Sequence, residues 1–101
     1  MIPEKLAPLD PVIHSQIRLA VMSILVSASV ADFNELKAAT GTTDGNLSTH
    51  LAKLEEVGYI RIKKSFRGRK PATTCSLTDA GREALARYVN ALESYLPKSR
   101  G

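Results

Sequence analysis

The first apolar stretch of the chain follows Asp10 and Pro11 and repeats at helical spacing. A carboxylate at the N-cap and a proline at the first helical position both favour a helix start there. Apolar side chains also lie outside this stripe, so the helix is predicted to be buried on more than one side. Residues 1–9, which hold two prolines, are predicted to form an extended arm. The stripe consists of Ile13, Ile17, Ala20, Val21, Ile24 and Leu25.

The next two apolar stretches predict a helix-turn-helix. A capping pattern at Asp32 opens a short helix, and Gly41 ends it in the way that glycines end helices. Thr42 or Thr43 then caps a helix over residues 43–57. Two helices joined by a short turn that contains glycine are typical of this motif. The inward face of the second helix consists of Leu47, Leu51 and Leu54.

Three segments are predicted to be extended. Residues 27–31 are small and β-tolerant, which suits a short strand. In residues 59–63 apolar and polar side chains alternate, and residues 73–77 suit a partner strand. Together they predict a hairpin over residues 59–78, with a tip of glycine, proline and basic residues at 65–71.

The positive charge is concentrated in this hairpin. Six of the 14 Lys and Arg residues lie between Tyr59 and Pro71 with no acidic residue among them, whereas the rest of the chain carries eight basic and ten acidic residues. A basic segment on a mildly acidic body suggests contact with a polyanion. A chance cluster on a solvated loop would have the same composition, so the neighbouring sequence must decide.

Length and composition exclude several classes of protein. With 101 residues the chain fits one domain at about 100–200 residues each. Its single Cys75 forms no disulfide within the chain, and with two histidines it makes no zinc finger, so we expect no metal site. The longest stretch without charge, residues 19–31, is shorter than the roughly 20 residues of a membrane span. No signal peptide is recognisable, and we expect a cytoplasmic protein with no cofactor.

The chain resembles the MarR-like winged-helix transcriptional regulators, particularly the short stand-alone members. The resemblance covers residues 9–92 and rests on residues 44–60, which end in LEEVGYI, on the basic residues 67–71, and on LTDAGR at 77–82. It implies an α+β, mostly α fold, the winged helix-turn-helix. The expected order is helix, strand, helix, helix, strand, wing, strand, helix.

This resemblance makes residues 43–57 the recognition helix. On a helical projection the face opposite the leucines carries small or hydrogen-bonding side chains, one cation and no carboxylate, which suits the major groove of DNA. A polar face with no partner is the alternative. The predicted DNA contacts on this helix are Thr43, Gly45, Asn46, Ser48, Thr49 and Lys53.

The resemblance also implies that the hairpin tip reaches the adjacent minor groove or the backbone. We expect Arg69 in the groove, with Arg67 and Lys70 on phosphates, although the two arginines are interchangeable at this stage. The predicted wing contacts are Arg67, Gly68, Arg69 and Lys70. Alternation sends Arg61 and Lys63 to one face, so not all six cations reach the same duplex.

The last predicted helix, residues 79–96, has a seam with the spacing of a coiled coil. A body of 101 residues is small for covering both this helix and the first, so we predict a homodimer built from the two terminal helices. In the alternative, both faces close the core of the monomer. The predicted interface residues are Ile13, Ile17, Leu85, Tyr88, Leu92 and Tyr95.

The leading hypothesis is a sequence-specific double-stranded DNA-binding regulator, a repressor by occlusion that binds a near-palindromic operator. The alternatives are a winged-helix protein-interaction module in a larger assembly and a nonspecific architectural DNA binder. No catalytic constellation is recognisable, so we expect no enzyme. Any small-molecule effector is unknown. His50 is expected to pack on the helix flank or contact a phosphate, His14 is ambiguous, and Cys75 is expected to be packed inward.

Overall fold

The computed structural model describes residues 6–96, which contain four helices and three strands. Their order confirms the predicted winged helix-turn-helix, and the three strands form one antiparallel sheet in the order β1-β3-β2. The first five residues of the predicted arm lie outside the described part. The elements are α1 (Gln16–Ala28), β1 (Val30–Asp32), α2 (Phe33–Thr40), α3 (Asp44–Glu56), β2 (Ile60–Arg67), β3 (Lys70–Leu77) and α4 (Asp79–Glu93).

One hydrophobic core joins the helices to the sheet. The leucine face of α3 is buried against α1 and the start of β2, while α4 contributes its N-terminal half. Because burying such side chains is the main favourable term in folding, this core fixes where the outward faces of α3 and the hairpin lie. The largest fully buried side chains are Ile13, Met22, Leu25, Leu36, Leu47, Leu54, Val21 and Cys75.

The first helix begins later than the sequence predicted. Asp10 does cap a turn, since its Oδ1 accepts from the Val12 N–H (2.9 Å) and its carbonyl accepts from the His14 N–H (2.8 Å). Ser15 then adopts an extended conformation (φ −154°) and becomes the N-cap of α1. Because the chain breaks before α1, Ile13 turns into the core and is completely buried. A continuous helix from Asp10 would not have required this burial.

The predicted strand at residues 27–31 is also displaced, because α1 continues through Ala28. Ser29 makes the turn with an unusual positive φ of 67°, and β1 pairs with β3 through Ala31 opposite Cys75. Asp32 ends this strand and is at the same time the N-cap of α2. Its capping box with Glu35 is complete, as the sequence predicted.

The hairpin tip is shorter than predicted. The strands continue to Arg67 and Lys70, which face each other, so only two residues connect them. Gly68 has a φ of 63°, as the first position of a type II′ turn requires. Ser65 and Phe66, expected in the tip, are paired strand residues instead, because the short turn extends the ladder on both sides.

The start of α4 lies directly on the backbone at the base of the hairpin. The Thr78 N–H donates to the Tyr59 carbonyl (3.1 Å), and the Thr78 hydroxyl donates to the Gly58 carbonyl (2.6 Å). Gly81, in the first turn of α4, approaches the same place so closely that an added Cβ would overlap the Tyr59 carbonyl oxygen. A residue without a side chain is therefore required at this position.

We predict that Gly81→Ala lowers the free energy of unfolding by about 2–3 kcal/mol, since either the helix or the hairpin must move to admit the methyl group. Urea unfolding followed by circular dichroism measures this change. Gly45→Ala is the matched control, because Gly45 also lies in a first helical turn but has nothing within 4 Å of the added Cβ. It should gain about 0.5–1 kcal/mol. Equal stability of Gly81→Ala and wild type would contradict the close contact.

Candidate nucleic-acid interface

Helix α3 presents a polar, exposed face directly opposite its buried leucines. The predicted helix over residues 43–57 corresponds to α3 with Thr43 and Val57 as its caps, and the Thr43 hydroxyl accepts from the Asn46 N–H at 3.2 Å. Every residue that the sequence assigned to DNA contact on this helix is exposed. They are Thr43, Gly45, Asn46, Ser48, Thr49 and Lys53.

The hydrogen-bonding side chains of this face have partners within the helix-turn-helix itself. The Asn46 amide donates to the Thr42 hydroxyl (2.8 Å), and the Thr49 hydroxyl donates to the Gly45 carbonyl (3.0 Å). Lys53 pairs with Glu56 at 3.2 Å. Because exposed pairs of this kind contribute at most about 1 kcal/mol, a ligand can replace them at low cost.

The basic tip of the hairpin is exposed as predicted from its composition. Gly68, Arg69 and Lys70 extend into solvent, whereas Arg67 turns back toward the helix-turn-helix. Its guanidinium Nη2 lies 3.5 Å from Asp32 Oδ2, with 70% of the arginine side chain exposed. Asp32 thus uses one carboxylate oxygen for the cap of α2 and the other for the hairpin. The assignment of Arg69 rather than Arg67 to the minor groove stays a prediction, and Arg67 has this contact to Asp32.

A groove of about 470 Å³ separates α3 from the hairpin. Ser48 and Ala52 line it from the helix, and Lys64 and Thr73 line it from the sheet. The sequence analysis left Lys64 unassigned because the alternation of a strand shows which residues share a face, but not which helix that face meets. The structure places Lys64 on the lining of the same groove as the predicted contact residue Ser48.

Glu55 holds the hairpin against α3 at the end of this groove. Its Oε2 accepts from the Ile62 N–H (3.2 Å), a backbone donor of β2. Strand β2 is at the edge of the sheet, so this donor would otherwise have no strand partner. The Glu55 carboxylate therefore gives the Ile62 N–H of the edge strand a hydrogen-bond partner and also orients the hairpin.

The two histidines and the cysteine lie away from the exposed face of α3. His50 turns toward α1, where its Nδ1 accepts from Arg18 Nη1 at 2.9 Å, and His14 Nδ1 lies 2.9 Å from the Tyr88 hydroxyl. Cys75 is packed in the core, and burial raises the pKa of its thiol to about 11, with a further contribution from the Glu55 charge. At neutral pH this thiol stays protonated and unreactive.

Residues 6–96 contain no group of three or more His, Cys, Asp or Glu side chains arranged to hold a metal ion. Over the same residues, no helix combines the length and the apolar character needed to cross a membrane.

Three of the predicted interface residues belong instead to the core of a single chain. Ile13 is completely buried, and Leu85 and Tyr88 are 9% and 4% exposed, so they have almost no surface left for a partner. The seam spacing of α4 suits contact with its own chain, and Leu85 and Tyr88 make that contact here. Of the other predicted interface residues, Ile17 and Leu92 are partly buried and Tyr95 is 43% exposed.

A helix-turn-helix whose second helix is exposed beside a basic two-stranded hairpin defines a winged-helix DNA-binding domain. The family model described as "Winged helix DNA-binding domain" matches residues 17–96, and the chain belongs to that family. The predicted resemblance to winged-helix DNA-binding proteins is confirmed by this match. The family is one of DNA-binding domains.

Similar proteins occur in archaea and bacteria. An uncharacterized protein of Methanocaldococcus jannaschii is 36% identical over 78 residues, which cover 77% of this chain and 85% of that protein. The structure of a transcriptional regulator homologue from Pyrococcus horikoshii has a TM-score of 0.77 and 28% identity, covering 83% of each chain. A MarR-family regulator from Silicibacter pomeroyi shares the fold at 21% identity and a TM-score of 0.63, covering 80% of this chain and 54% of its own.

We predict that Asp32→Ala lowers the free energy of unfolding by about 1–2 kcal/mol, because it removes the N-cap of α2. Arg67→Ala should change it by less than about 0.5 kcal/mol, since it removes only an exposed ion pair. Urea unfolding of both variants and of the double variant compares the two effects. A larger loss in Arg67→Ala than in Asp32→Ala would show that the ion pair, not the cap, is the stabilising interaction.

Proposed function

We propose that the protein is a sequence-specific repressor that binds a near-palindromic site in double-stranded DNA as a homodimer. The observation that carries this proposal is the groove that Ser48 of the recognition helix and Lys64 of the wing both line. A polar helix face alone suits many partners. A polar face joined to a basic strand by such a groove suits a duplex, whose phosphate backbone would run between helix and wing.

The exposed face of α3 would read base edges in the major groove. Gly45 and Ala52 have little or no side chain, so they would let the helix settle deeply, while Asn46 and Thr49 carry donors and acceptors that bases match. Both side chains would exchange internal hydrogen bonds for bonds to DNA. Lys53 would leave Glu56 for a phosphate.

The wing would supply affinity more than sequence preference. Arg69 lies in the two-residue turn, whereas Arg67 contacts Asp32. Arg69 is therefore the side chain best placed for a narrow minor groove. Lys64 and Lys70 would contact phosphates on either side. Arg67 would join them if its exposed ion pair opens.

The dimer would form through the end of α4 and the adjoining arm. Val89, Tyr95 and Leu96 are 47%, 43% and 57% exposed, a concentration of apolar surface at one end of the chain. The Tyr95 hydroxyl donates to the Ala7 carbonyl (2.7 Å), which keeps the arm beside this surface. A two-fold axis here would place two recognition helices on half-sites about 10 base pairs apart or a multiple of that.

Two of the similar proteins support a regulatory role on DNA. One is the archaeal transcriptional regulator homologue, and the other is AbfR, whose reduced form was solved bound to DNA. AbfR is 22% identical, with a TM-score of 0.72 over 85% of this chain and 60% of its own. Occupancy of a promoter by such a dimer would block transcription.

The proposal is tested by fluorescence anisotropy with a duplex from the upstream region of the protein's own gene and a scrambled duplex. Titrations at about 50 and 200 mM salt separate charge from base readout. We expect tighter binding to the native duplex and a steep loss with salt on both. No binding to either duplex at low salt would favour the protein-interaction module, and equal binding to both would favour an architectural role.

Variants distinguish the wing from the helix. Arg69→Ala and Lys64→Gln should each flatten the salt dependence by about one unit of slope, because each removes one contact to the polyanion. Asn46→Ala should instead lose base preference with little change in slope. Arg82→Gln, an exposed cation of α4, is the control for simple loss of charge. An unchanged slope in both wing variants would contradict the wing assignment.

Sedimentation velocity tests the dimer. At micromolar concentration we expect wild type to sediment as a dimer and Val89→Glu as a folded monomer, because burying an unpaired carboxylate is costly. Val30→Glu makes the same change at an exposed valine of β1 and should leave the dimer intact. A monomeric wild type would overturn the dimer and leave the DNA-binding proposal to the anisotropy experiment.

A further inference from the structure

Arg18 connects three parts of the molecule through one guanidinium. It lies in the first turn of α1, where its Nε donates to the Val12 carbonyl (2.5 Å) and its Nη1 donates to His50 Nδ1 on α3 (2.9 Å). The N-terminal turn, α1 and α3 are therefore held together at this point. The side chain is partly buried, so these hydrogen bonds are better shielded from water than surface pairs.

We propose that Arg18 is a positioning residue that sets the orientation of the recognition helix through a neutral His50, so that protonation of His50 weakens DNA binding. This inference rests on the proposed function of α3. It concerns how the DNA-reading face is held, which neither the family nor the fold specifies.

The location of His50 explains why its contact matters for the reading face. His50 follows Thr49 directly and lies one helical turn from Asn46 and from Lys53, so it borders the exposed face. The other flank of α3 is held by Glu55 on the Ile62 N–H. With one hydrogen bond on each flank, rotation of α3 about its axis is restricted in both directions.

The hydrogen bond determines the protonation state of the ring. An arginine side chain can only donate, so His50 Nδ1 must accept with a lone pair. The ring is then neutral, with its proton on Nε2. A proton on Nδ1 would remove the acceptor and place two cations in contact, which would drive Arg18 and His50 apart.

The electrostatics agree with this geometry. Burial lowers the pKa of His50 below its usual 6.5, and the charge of Arg18 lowers it further. A lowered pKa means that folding favours the neutral ring. The contribution of neutral His50 to the free energy of unfolding is therefore fully present above pH 6.5. It is lost as the pH falls through the lowered pKa that His50 has in the folded protein.

Within residues 6–96, Arg18 is the charged group that lowers the pKa of His50. Arg18 faces it from α1, and Lys53 lies one turn away on α3, where it pairs with Glu56. From β2, the other element packed closely on α3, Lys64 lies beside Ser48 on the opposite flank. Arg18 is thus the charge that responds to protonation.

The direction of the pH effect distinguishes this role from an ordinary contact. A histidine that touches a phosphate binds DNA more tightly when it is protonated, because it gains a positive charge. A histidine that positions the helix through Arg18 has the opposite effect. We expect wild-type affinity to fall about five- to tenfold as the pH is lowered from about 7.5 until His50 is protonated below pH 6.5, the size of one lost hydrogen bond.

Two variants at position 50 test the mechanism by anisotropy on the duplex that wild type binds best. His50→Asn keeps an acceptor near the Nδ1 position but does not titrate, so its affinity should stay near that of wild type at neutral pH and lose the acid effect. His50→Leu has no acceptor and should bind about five- to tenfold more weakly at both pH values. His14→Gln, at the other histidine, should keep the wild-type pH profile. An acid effect that persists in His50→Asn would overturn the proposal.

Changes at Arg18 test its partner role. Arg18→Gln should weaken binding and abolish the acid effect, whereas Arg82→Gln removes the same charge from α4 and should retain it. Circular dichroism at each pH verifies that every variant is folded. Wild-type affinity and pH profile in Arg18→Gln would overturn the positioning role.

Nuclear magnetic resonance of the ring nitrogens gives a readout that needs no DNA. In the free protein we expect His50 as the Nε2–H tautomer, with a pKa below 6.5 that rises in Arg18→Gln. A protonated or Nδ1–H ring at neutral pH would overturn the proposal. If wild type binds no duplex at any pH, the proposed function fails, and these resonances still decide whether Arg18 holds a neutral His50.

Discussion

The structure depends on a crossing of four chain segments at Tyr59. Its N–H donates to the Leu54 carbonyl at the end of α3, and its carbonyl accepts from Thr78 at the start of α4. Its hydroxyl donates to Asp10 in the N-terminal turn, which raises the pKa of the tyrosine. Gly81 lets α4 lie against this backbone. Four segments therefore meet at Tyr59: the recognition helix, the wing, the last helix and the N-terminal turn.

The contacts around Tyr59 also orient α3 and the wing, the two parts of the proposed DNA-binding surface, relative to each other. Glu55 binds the edge of β2 and Asp32 reaches Arg67, so the wing is tied to the helix-turn-helix at its base and near its tip. Arg18 ties the other flank of α3 to α1. The outward-facing side chains Asn46, Thr49 and Lys53 bond to neighbours within the helix-turn-helix instead. A rigid frame therefore carries an adaptable surface, an arrangement that favours recognition because the frame needs no reorganisation on binding.

The sequence predicted those features that local chemistry determines. The caps of α2, α3 and α4, the leucine face of α3 and the alternation of β2 each follow from neighbouring residues, and their order led to the winged helix. The misplaced features depend on distant contacts. Asp10 does cap a turn, but Ile13 is drawn into a core that the local pattern cannot show, and so the helix restarts at Gln16.

The same reason explains the errors in the candidate sites. Apolar spacing on α4 suits contact with a partner chain and contact with the core of its own chain equally well. Leu85 and Tyr88 are packed in the core of their own chain. Lys64 was left unassigned because its place in the groove that Ser48 also lines arises from the packing of a sheet on a helix. Cys75 was placed correctly, since alternation along one strand is a local property.

The two-residue turn at Gly68 and Arg69 restricts how the wing can change during evolution. Side chains alternate between the faces of a hairpin, so a single inserted residue in one strand would exchange the two faces beyond it. Lys64 would then leave the groove, and Arg67 would turn away from Asp32. Two residues inserted in one strand keep the faces, and two more in the partner strand keep the pairing as well. Length variation within the strands of wings of this design should therefore occur in steps of two residues in each strand, and a lone insertion should be accompanied by a β-bulge that restores the faces.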